Sequence, residues 1–176
     1  PYGVLKENLV GTDGGWDYAS VDAAPRRLHV AHATRVVVID MEKNAVVGEV
    51  GPTPGVHGFA IAPGLGRGFA SNGRENKAAI VDLKTLQILS SVETGENPDA
   101  ILYEPVHKEV YTFNGTGKSA TVFDAATGAV KATITLPGKP EVAVEDVKAG
   151  RSYTNIEEPG LGVSTDTEEH DMGTTG

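Results

Sequence analysis

The chain has no cysteine, only 1 tryptophan and 4 phenylalanines among its 176 residues, and no long apolar run. The lack of cysteine excludes disulfide bonds, thiolate nucleophiles and cysteine-ligated metal sites. No stretch approaches the roughly 20 consecutive apolar residues of a membrane-spanning helix, so we expect no membrane span. The chain also shows no signal-peptide pattern.

Basic residues are scarce as well. The chain has 15 Lys and Arg against 24 Asp and Glu, which gives a formal net charge of −9. A chain of this sign lacks the positive surface that neutralises phosphates, so we expect no nucleic-acid partner. The first residue is Pro1 rather than Met, which favours a processed chain or a fragment of a larger propeller protein.

An aspartate returns at a fixed interval of 42 residues, at Asp40, Asp82 and Asp124, and each time it closes an apolar run. A period of this size indicates an array of one supersecondary unit. Because each of these residues precedes a short turn, its carboxylate can accept hydrogen bonds from the backbone N–H groups that follow. We therefore assign the three aspartates structural rather than catalytic roles.

Each unit contains four short runs rich in Val, Ile, Ala, Phe and Tyr, bounded by Gly, Pro, Asn and Asp, which is the pattern of strands. No segment keeps a 3.6-residue period over the length that a helix needs. The units predict an all-β fold of β-propeller repeats of four antiparallel strands, with about 14 to 16 strands in about 3.5 blades and hence an open, incomplete ring. Whole blades are predicted near 15–50, 57–92 and 99–134, an incomplete fourth from Glu141, and a leftover outer strand at 4–10.

The composition changes after the predicted partial propeller of residues 1–158. Residues 159–176 are rich in Gly, Thr, Asp and Glu and hold few large apolar groups. Since such a segment cannot offset its ordering entropy, we predict a disordered acidic tail. Asp166 nevertheless falls 42 residues after Asp124, so the alternative is that Gly162–Asp166 is a worn third strand of the fourth blade.

Several stretches resemble the YVTN-type β-propellers of bacteria, namely Gly14–Tyr18, Gly68–Arg74 and Asn97–Tyr103, together with the recurring Val-x-Val-x-Asp and Gly-x-x-Pro patterns. The resemblance covers most of the chain. It implies an exported protein, periplasmic or secreted, in a family whose members are typically seven-bladed and serve diverse roles. It also implies that the first strand of each blade is innermost and borders the central channel.

With the first strand innermost, equivalent residues of successive units surround one mouth of the channel. They are Asp17, His57, Asp99 and Glu141 in the first strands, and His32, Asn72, Asn114 and Asn155 at the ends of the second strands. Oxygen ligands in such a ring suit a divalent cation such as Ca²⁺, bound weakly because the ring is incomplete. We predict that these residues bind a ligand, with no catalytic residue and no other cofactor.

Two functions of different classes fit this pattern. The first is a non-catalytic binding or interaction module of an exported bacterial protein, for an unidentified small molecule or protein. The alternative is a metal-dependent, lactonase-like hydrolase, because propeller lactonases use a similar Glu/Asn/Asp cation site to polarise a carbonyl. A structural fragment without activity is a third reading. An open propeller leaves apolar blade faces uncovered, so self-association through these faces is also expected.

Overall fold

The computed structural model describes Gly3, Glu7, Val10 and residues 14–157, together with the backbone of 162–166 and 172–175. These residues form sixteen strands and two short 3-10 turns, which confirms the predicted all-β fold. None of the described segments forms a helix with the length and hydropathy needed to cross a bilayer. The predicted outer strand at 4–10 falls almost wholly outside the described residues.

The strands form four antiparallel sheets, called blades 1 to 4, each in chain order from its first to its last strand. Blade 1 holds β1 (Trp16–Asp22), β2 (Arg27–His32), β3 (Arg35–Asp40) and β4 (Ala45–Val50). Blade 2 holds β5 (Val56–Ala62), β6 (Arg67–Asn72), β7 (Lys77–Asp82) and β8 (Ile88–Glu93). Blade 3 holds β9 (Pro98–Glu104), β10 (Glu109–Asn114), β11 (Ser119–Asp124) and β12 (Val130–Thr135). Blade 4 holds β13 (Pro140–Asp146), β14 (Arg151–Ile156), β15 (Gly162–Asp166) and β16 (Met172–Thr175).

The first strands of neighbouring blades lie side by side, β1 against β5, β5 against β9 and β9 against β13. The first strand is therefore innermost, and the four blades form an open arc around a channel rather than a closed ring. This is the predicted architecture of an incomplete propeller. It brings the starts of the four first strands to one mouth of the channel.

The fourth blade differs from the preferred sequence interpretation. β15 pairs with β14, and β16 pairs with β15, within the segment 159–176 for which a disordered tail was predicted. The backbone of Gly162–Asp166 forms a strand that ends at Asp166, as in the alternative of a third strand, and the residues of 159–176 outside β15 and β16 lie outside the described part of the chain. Ladder hydrogen bonds come from the main chain, so a strand can extend an existing sheet with few apolar side chains.

The periodic aspartates cap the turn that follows the third strand, as predicted. Asp82 Oδ1 accepts hydrogen bonds from the backbone N–H groups of Lys84 at 2.9 Å and Thr85 at 2.7 Å. Asp40 and Asp124 make the same pair of contacts in blades 1 and 3. These bonds favour the charged carboxylate and lower the pKa of all three groups.

Hydrophobic side chains fill the spaces between blades rather than a single central core. One cluster joins blades 1 and 2, a second joins blades 2 and 3, and a third joins blade 3 to Ile156 of blade 4. The third residue of each second strand is aromatic; in chain order these residues are His29, Phe69, Tyr111 and Tyr153. The first three face the next blade.

The two end blades expose faces that the inner blades bury. Val144 of β13 is 59% exposed, whereas Ala60, at the same repeat position in β5, is 8% exposed. Val142 and Tyr153 share this outward face of blade 4, and Val21 is exposed on the opposite face of blade 1. Each of these side chains occupies a position that in an inner blade packs against a neighbour.

Candidate functional site

The mouth residues lie in a β-bulge at the start of each first strand. The register slips between Trp16 and Ala19 in β1, and the other three first strands show the same irregularity at the same place. A bulge re-aims the side chain that it carries. Next to each bulge, the residue after the second strand donates its backbone N–H to the carbonyl oxygen of the residue before the first strand. The pairs, with the donor first, are Ala33 and Gly15, Gly73 and Gly55, Gly115 and Asn97, and Glu157 and Lys139.

Three of the predicted mouth residues converge. His57 Nδ1 lies 2.8 Å from Asp17 Oδ2 and 3.5 Å from Asp99 Oδ1. The ligand atoms of the three side chains all lie within 4.8 Å of one another. Blades 1, 2 and 3 each contribute one of them, so the cluster exists only because the blades stack in this order. We call Asp17, His57 and Asp99 the mouth triad.

Gly73 makes room for the imidazole of the triad. A Cβ at this position would lie 2.7 Å from His57 Nε2 and 2.7 Å from Asn97 Oδ1, closer than real Cβ contacts allow. Any larger residue would therefore push His57 away from the two carboxylates. The glycine that follows Asn72 is thus part of what holds the triad in place.

The electrostatics of the mouth favour a bound cation. Burial raises the pKa of Asp99, Glu141 and Asp17 raise it further, and only His57 and Lys139 act in the opposite direction. Burial also raises the pKa of the Tyr18 phenol, and the charges of Asp99, Asp17 and Glu141 add to that shift. A positive ion at the triad would relieve the repulsion between these negative groups.

Glu141 stands beside the triad but is held by its own blade. Lys139 Nζ lies 2.5 Å from Glu141 Oε1 and 3.2 Å from Glu157 Oε2. The hydrogen bond from Lys139 lowers the pKa of Glu141. Sequence reasoning placed Asp17, His57, Asp99 and Glu141 together; the structure groups the first three, and Glu141 acts on Asp99 only through its charge.

His32 is fixed beneath the rim rather than open to a ligand. It is buried, its ring stacks on Trp16 with 3.9 Å between centroids and 4° between planes, and Nδ1 lies 3.1 Å from the carbonyl oxygen of Gly15. Trp16 remains 49% exposed on its other side. The pair therefore gives the mouth a flat, rigid aromatic wall.

The three asparagines bond within their own blades. Asn114 Nδ2 donates to Ser119 Oγ and Thr121 Oγ1, and Asn72 Nδ2 contacts Glu75 Oε2 at 3.5 Å. Asn72 Oδ1 is buried and has no hydrogen-bond partner among the described residues.

Asn155 is not at the equivalent position, because the register pairs Pro140 with Ile156. In the other blades the corresponding partners are His32, Asn72 and Asn114. Side chains alternate between the faces of a strand, so a one-residue offset places Asn155 on the face opposite to Ile156. Its Oδ1 accepts a hydrogen bond from the backbone N–H of Val142.

A pocket of about 420 Å³, which we call the mouth pocket, opens beside the triad. Asp17 and His57 line it, together with Trp16, Arg74 and Asn97. Sequence reasoning missed Arg74 and Asn97. Their positions in the repeat could have indicated them, because Arg74 follows Asn72 by two residues and Asn97 precedes Asp99 by two residues.

A smaller cavity of about 180 Å³ lies deeper, between the first strands. Tyr18, Phe59 and Ile101 are among the residues that line it. It offers mainly apolar surface and one phenol, so charged groups of a ligand would be held at the mouth rather than inside the channel.

The comparisons with known proteins bear on the fold. No protein-family model matches the chain, and no curated protein matches it in sequence. The structure is similar to hydrazine synthase of Kuenenia stuttgartiensis, with a TM-score of 0.82 and 17% identity over 97% of this chain and 51% of that chain. It is also similar to a functionally unknown protein from Desulfotomaculum acetoxidans DSM 771, with a TM-score of 0.77 and 12% identity over 94% of this chain and 56% of that chain. The chain thus spans about half the length of both and shares their β-propeller-like, all-β fold.

Proposed function

We propose that this chain is a non-catalytic binding module of an exported, YVTN-type bacterial propeller and holds a divalent cation at the mouth triad. The observation that carries the proposal is the convergence of one ligand atom each from Asp17, His57 and Asp99 within 4.8 Å. The periplasm or the extracellular space, as the family resemblance implies, is the proposed location.

The donor set favours a transition metal over Ca²⁺. Calcium prefers six to eight oxygen ligands, whereas an imidazole nitrogen with two carboxylates suits Zn²⁺ or Mn²⁺. His57 Nδ1 faces the Asp17 carboxylate in the ion-free arrangement, so coordination through this atom requires the tautomer that carries its proton on Nε2. Affinity should rise with pH because burial raises the pKa of Asp99, whose carboxylate must be deprotonated to bind the ion.

The first prediction concerns Zn²⁺ binding measured by titration calorimetry. The wild-type chain should bind one Zn²⁺ more tightly than Ca²⁺. Asp99→Asn, which keeps the shape of the side chain and removes its charge, should weaken Zn²⁺ binding by about tenfold or more, because outer contacts alone are worth that much in metal sites. His57→Gln should do the same.

Asp82→Asn is the matched control for this experiment. Asp82 is also a carboxylate of the repeat, but it caps a turn at the end of β7. Its replacement should lower stability and leave Zn²⁺ affinity unchanged. Equal Zn²⁺ affinity of the wild-type and Asp99→Asn chains would refute the proposed site.

A metal-dependent, lactonase-like hydrolase is the second candidate function. The observation in its favour is that the triad supplies only three protein ligands beside an open pocket, which leaves coordination positions for water and a carbonyl oxygen. Wild-type protein supplied with Zn²⁺ should then hydrolyse a simple lactone faster than Asp99→Asn supplied with the same Zn²⁺, and faster than metal-free wild-type protein. Zn²⁺-loaded Asp82→Asn should hydrolyse the lactone at the wild-type rate. Equal rates for the loaded and metal-free chains would leave binding as the function.

We further propose that two copies associate through their open blade faces. Val142, Val144 and Tyr153 on blade 4 and Val21 on blade 1 are exposed at positions that are buried or half-buried in the inner blades. Two sets of four blades would give eight, the upper end of the usual range for propellers. The partner that best fits such a face is a blade of the same repeat, because its edges and spacing are the same.

The second prediction tests this association by size-exclusion chromatography with light scattering. The wild-type chain should show a mass above that of one copy, rising with concentration, and Val144→Glu should shift it towards one copy. Val106→Glu is the control, since Val106 is 54% exposed but lies in the turn between β9 and β10. A wild-type chain that stays at the mass of one copy at high concentration would contradict the proposal.

A further inference from the structure

The mouth pocket contains a cationic side chain that the triad does not use. Arg74 lies on the 3-10 turn after β6 and lines the pocket together with Asp17 and His57. Its guanidinium has no ion pair with any described residue, although the chain carries a net charge of −9. An arginine in such a place is suited to a carboxylate or phosphate brought by a ligand.

The backbone beneath Arg74 is shaped to hold its stem against the pocket. Gly55 has φ +65, and a Cβ there would lie 2.6 Å from Arg74 Cγ and 3.1 Å from Arg74 N. The backbone N–H of Arg74 donates to the carbonyl of Pro54 at 3.3 Å. The start of the side chain is therefore fixed to the rim that also carries His57.

The space beside the triad is too large for an ion alone. The pocket, which is partly open to solvent, offers about 420 Å³, whereas one water occupies about 30 Å³ of liquid. Three protein ligands also leave at least one coordination position open on a tetrahedral ion. A small molecule can therefore sit with one end on the ion and the rest in the pocket.

We propose that the mouth pocket binds a small dicarboxylate, with one carboxylate on the cation held by Asp17, His57 and Asp99 and the other paired with Arg74. This inference rests on the proposed cation site and names its co-ligand. The Trp16 indole, held flat against His32, forms a wall along the body of the ligand. The negative triad by itself would repel such a ligand, so the ion is needed for its binding.

The test is titration calorimetry with malonate as the dicarboxylate and malonamide as its uncharged analogue, on the full chain. Zn²⁺-loaded protein should bind malonate, should bind malonamide at least about tenfold more weakly, and should lose malonate binding after removal of Zn²⁺. Arg74→Gln should weaken malonate binding by about tenfold or more, the effect of one charged hydrogen-bonded pair. Arg74→Gln should leave Zn²⁺ affinity unchanged.

Arg67→Gln is the matched control, because Arg67 begins the same strand, β6, at its opposite end. It should bind malonate as the wild type does. Equal malonate affinity of Arg74→Gln and wild-type protein would overturn the inference, as would malonate binding that is unaffected by removal of Zn²⁺. Either result leaves the cation site standing if Zn²⁺ itself binds, whereas failure of Zn²⁺ to bind overturns both.

Discussion

Acidification from neutral pH to below pH 4 should lower the free energy of unfolding by roughly 3 kcal/mol through His29 alone. His29 is 1% exposed, its ring stacks on Phe59 at 4.9 Å, and among the described residues neither ring nitrogen makes a well-formed hydrogen bond. Burial lowers the pKa of His29 from its usual 6.5 to about 4, and the nearby positive charge of Arg27 adds to this effect. The Ser20 backbone opposes the effect of burial on the pKa of His29, but it is the smallest of the contributions. The folded chain therefore holds His29 neutral.

The sign follows from the lowered pKa. Above pH 6.5 the imidazole is neutral in both the folded and unfolded chains, so the full stability is present. Between pH 6.5 and 4 the unfolded chain takes up a proton that the folded chain resists, and stability falls. The capping aspartates Asp40, Asp82 and Asp124, whose pKa values are lowered, lose their contribution only at more acidic pH.

His29→Phe isolates this effect, because Phe69 occupies the same repeat position in blade 2. The ring still stacks on Phe59 but cannot be protonated. Urea unfolding between pH 7 and 4, followed by far-UV circular dichroism, should show a much shallower pH dependence for the variant. If wild type and His29→Phe lose the same stability over this range, His29 does not titrate as argued.

Phe69→Ala should destabilise the chain by about 3 to 5 kcal/mol. Phe69 is fully buried between blades 2 and 3 and contacts Phe123 edge to face, with 6.0 Å between ring centroids. Its removal takes away apolar contact and leaves a cavity, because rings from two blades cannot both move to fill it. Since small domains are stable by only about 5 to 15 kcal/mol, the variant should unfold at much lower urea concentration.

Tyr153→Ala is the control for Phe69→Ala. Tyr153 has the same repeat position in blade 4, but it is 38% exposed on the open face. Its truncation should cost much less than that of Phe69. Equal losses would mean that Tyr153 and the open face of blade 4 are covered in solution. That result would support the association of two copies.

The architecture could be predicted because it depends on local, repeated signals. Asp40, Asp82 and Asp124 mark the third strand of each unit, and their turn contacts involve residues two and three positions away. The β15 strand ends at Asp166, where the 42-residue period places it, although its composition is polar. A main-chain ladder tolerates a polar strand when a neighbouring strand already exists.

The candidate site was only partly predictable. The period located Asp17, His57 and Asp99 at equivalent places, but not that His57 lies between the carboxylates while Glu141 is held by Lys139. Asn155 was misassigned because it was matched to Asn72 and Asn114 by residue type, whereas Ile156 stands 42 residues after Asn114 and is the residue that pairs with Pro140. Arg74 was missed because it lies on the turn after β6, outside the strand positions that the repeat compares, and only the folding of blade 2 brings it beside His57.

The sequence by itself determined the repeat, the strand class and the capping turns, since these arise from contacts between residues close in the chain. The number of units indicated an open ring. The tertiary structure alone decided which side chains meet at the mouth and which blade faces stay exposed. It also decided that His29 is buried, whereas Tyr153, at the same repeat position, is exposed. The physical reason is the stacking of blades: residues about 40 positions apart come into contact, and the same repeat position is buried or exposed according to whether a neighbouring blade covers it.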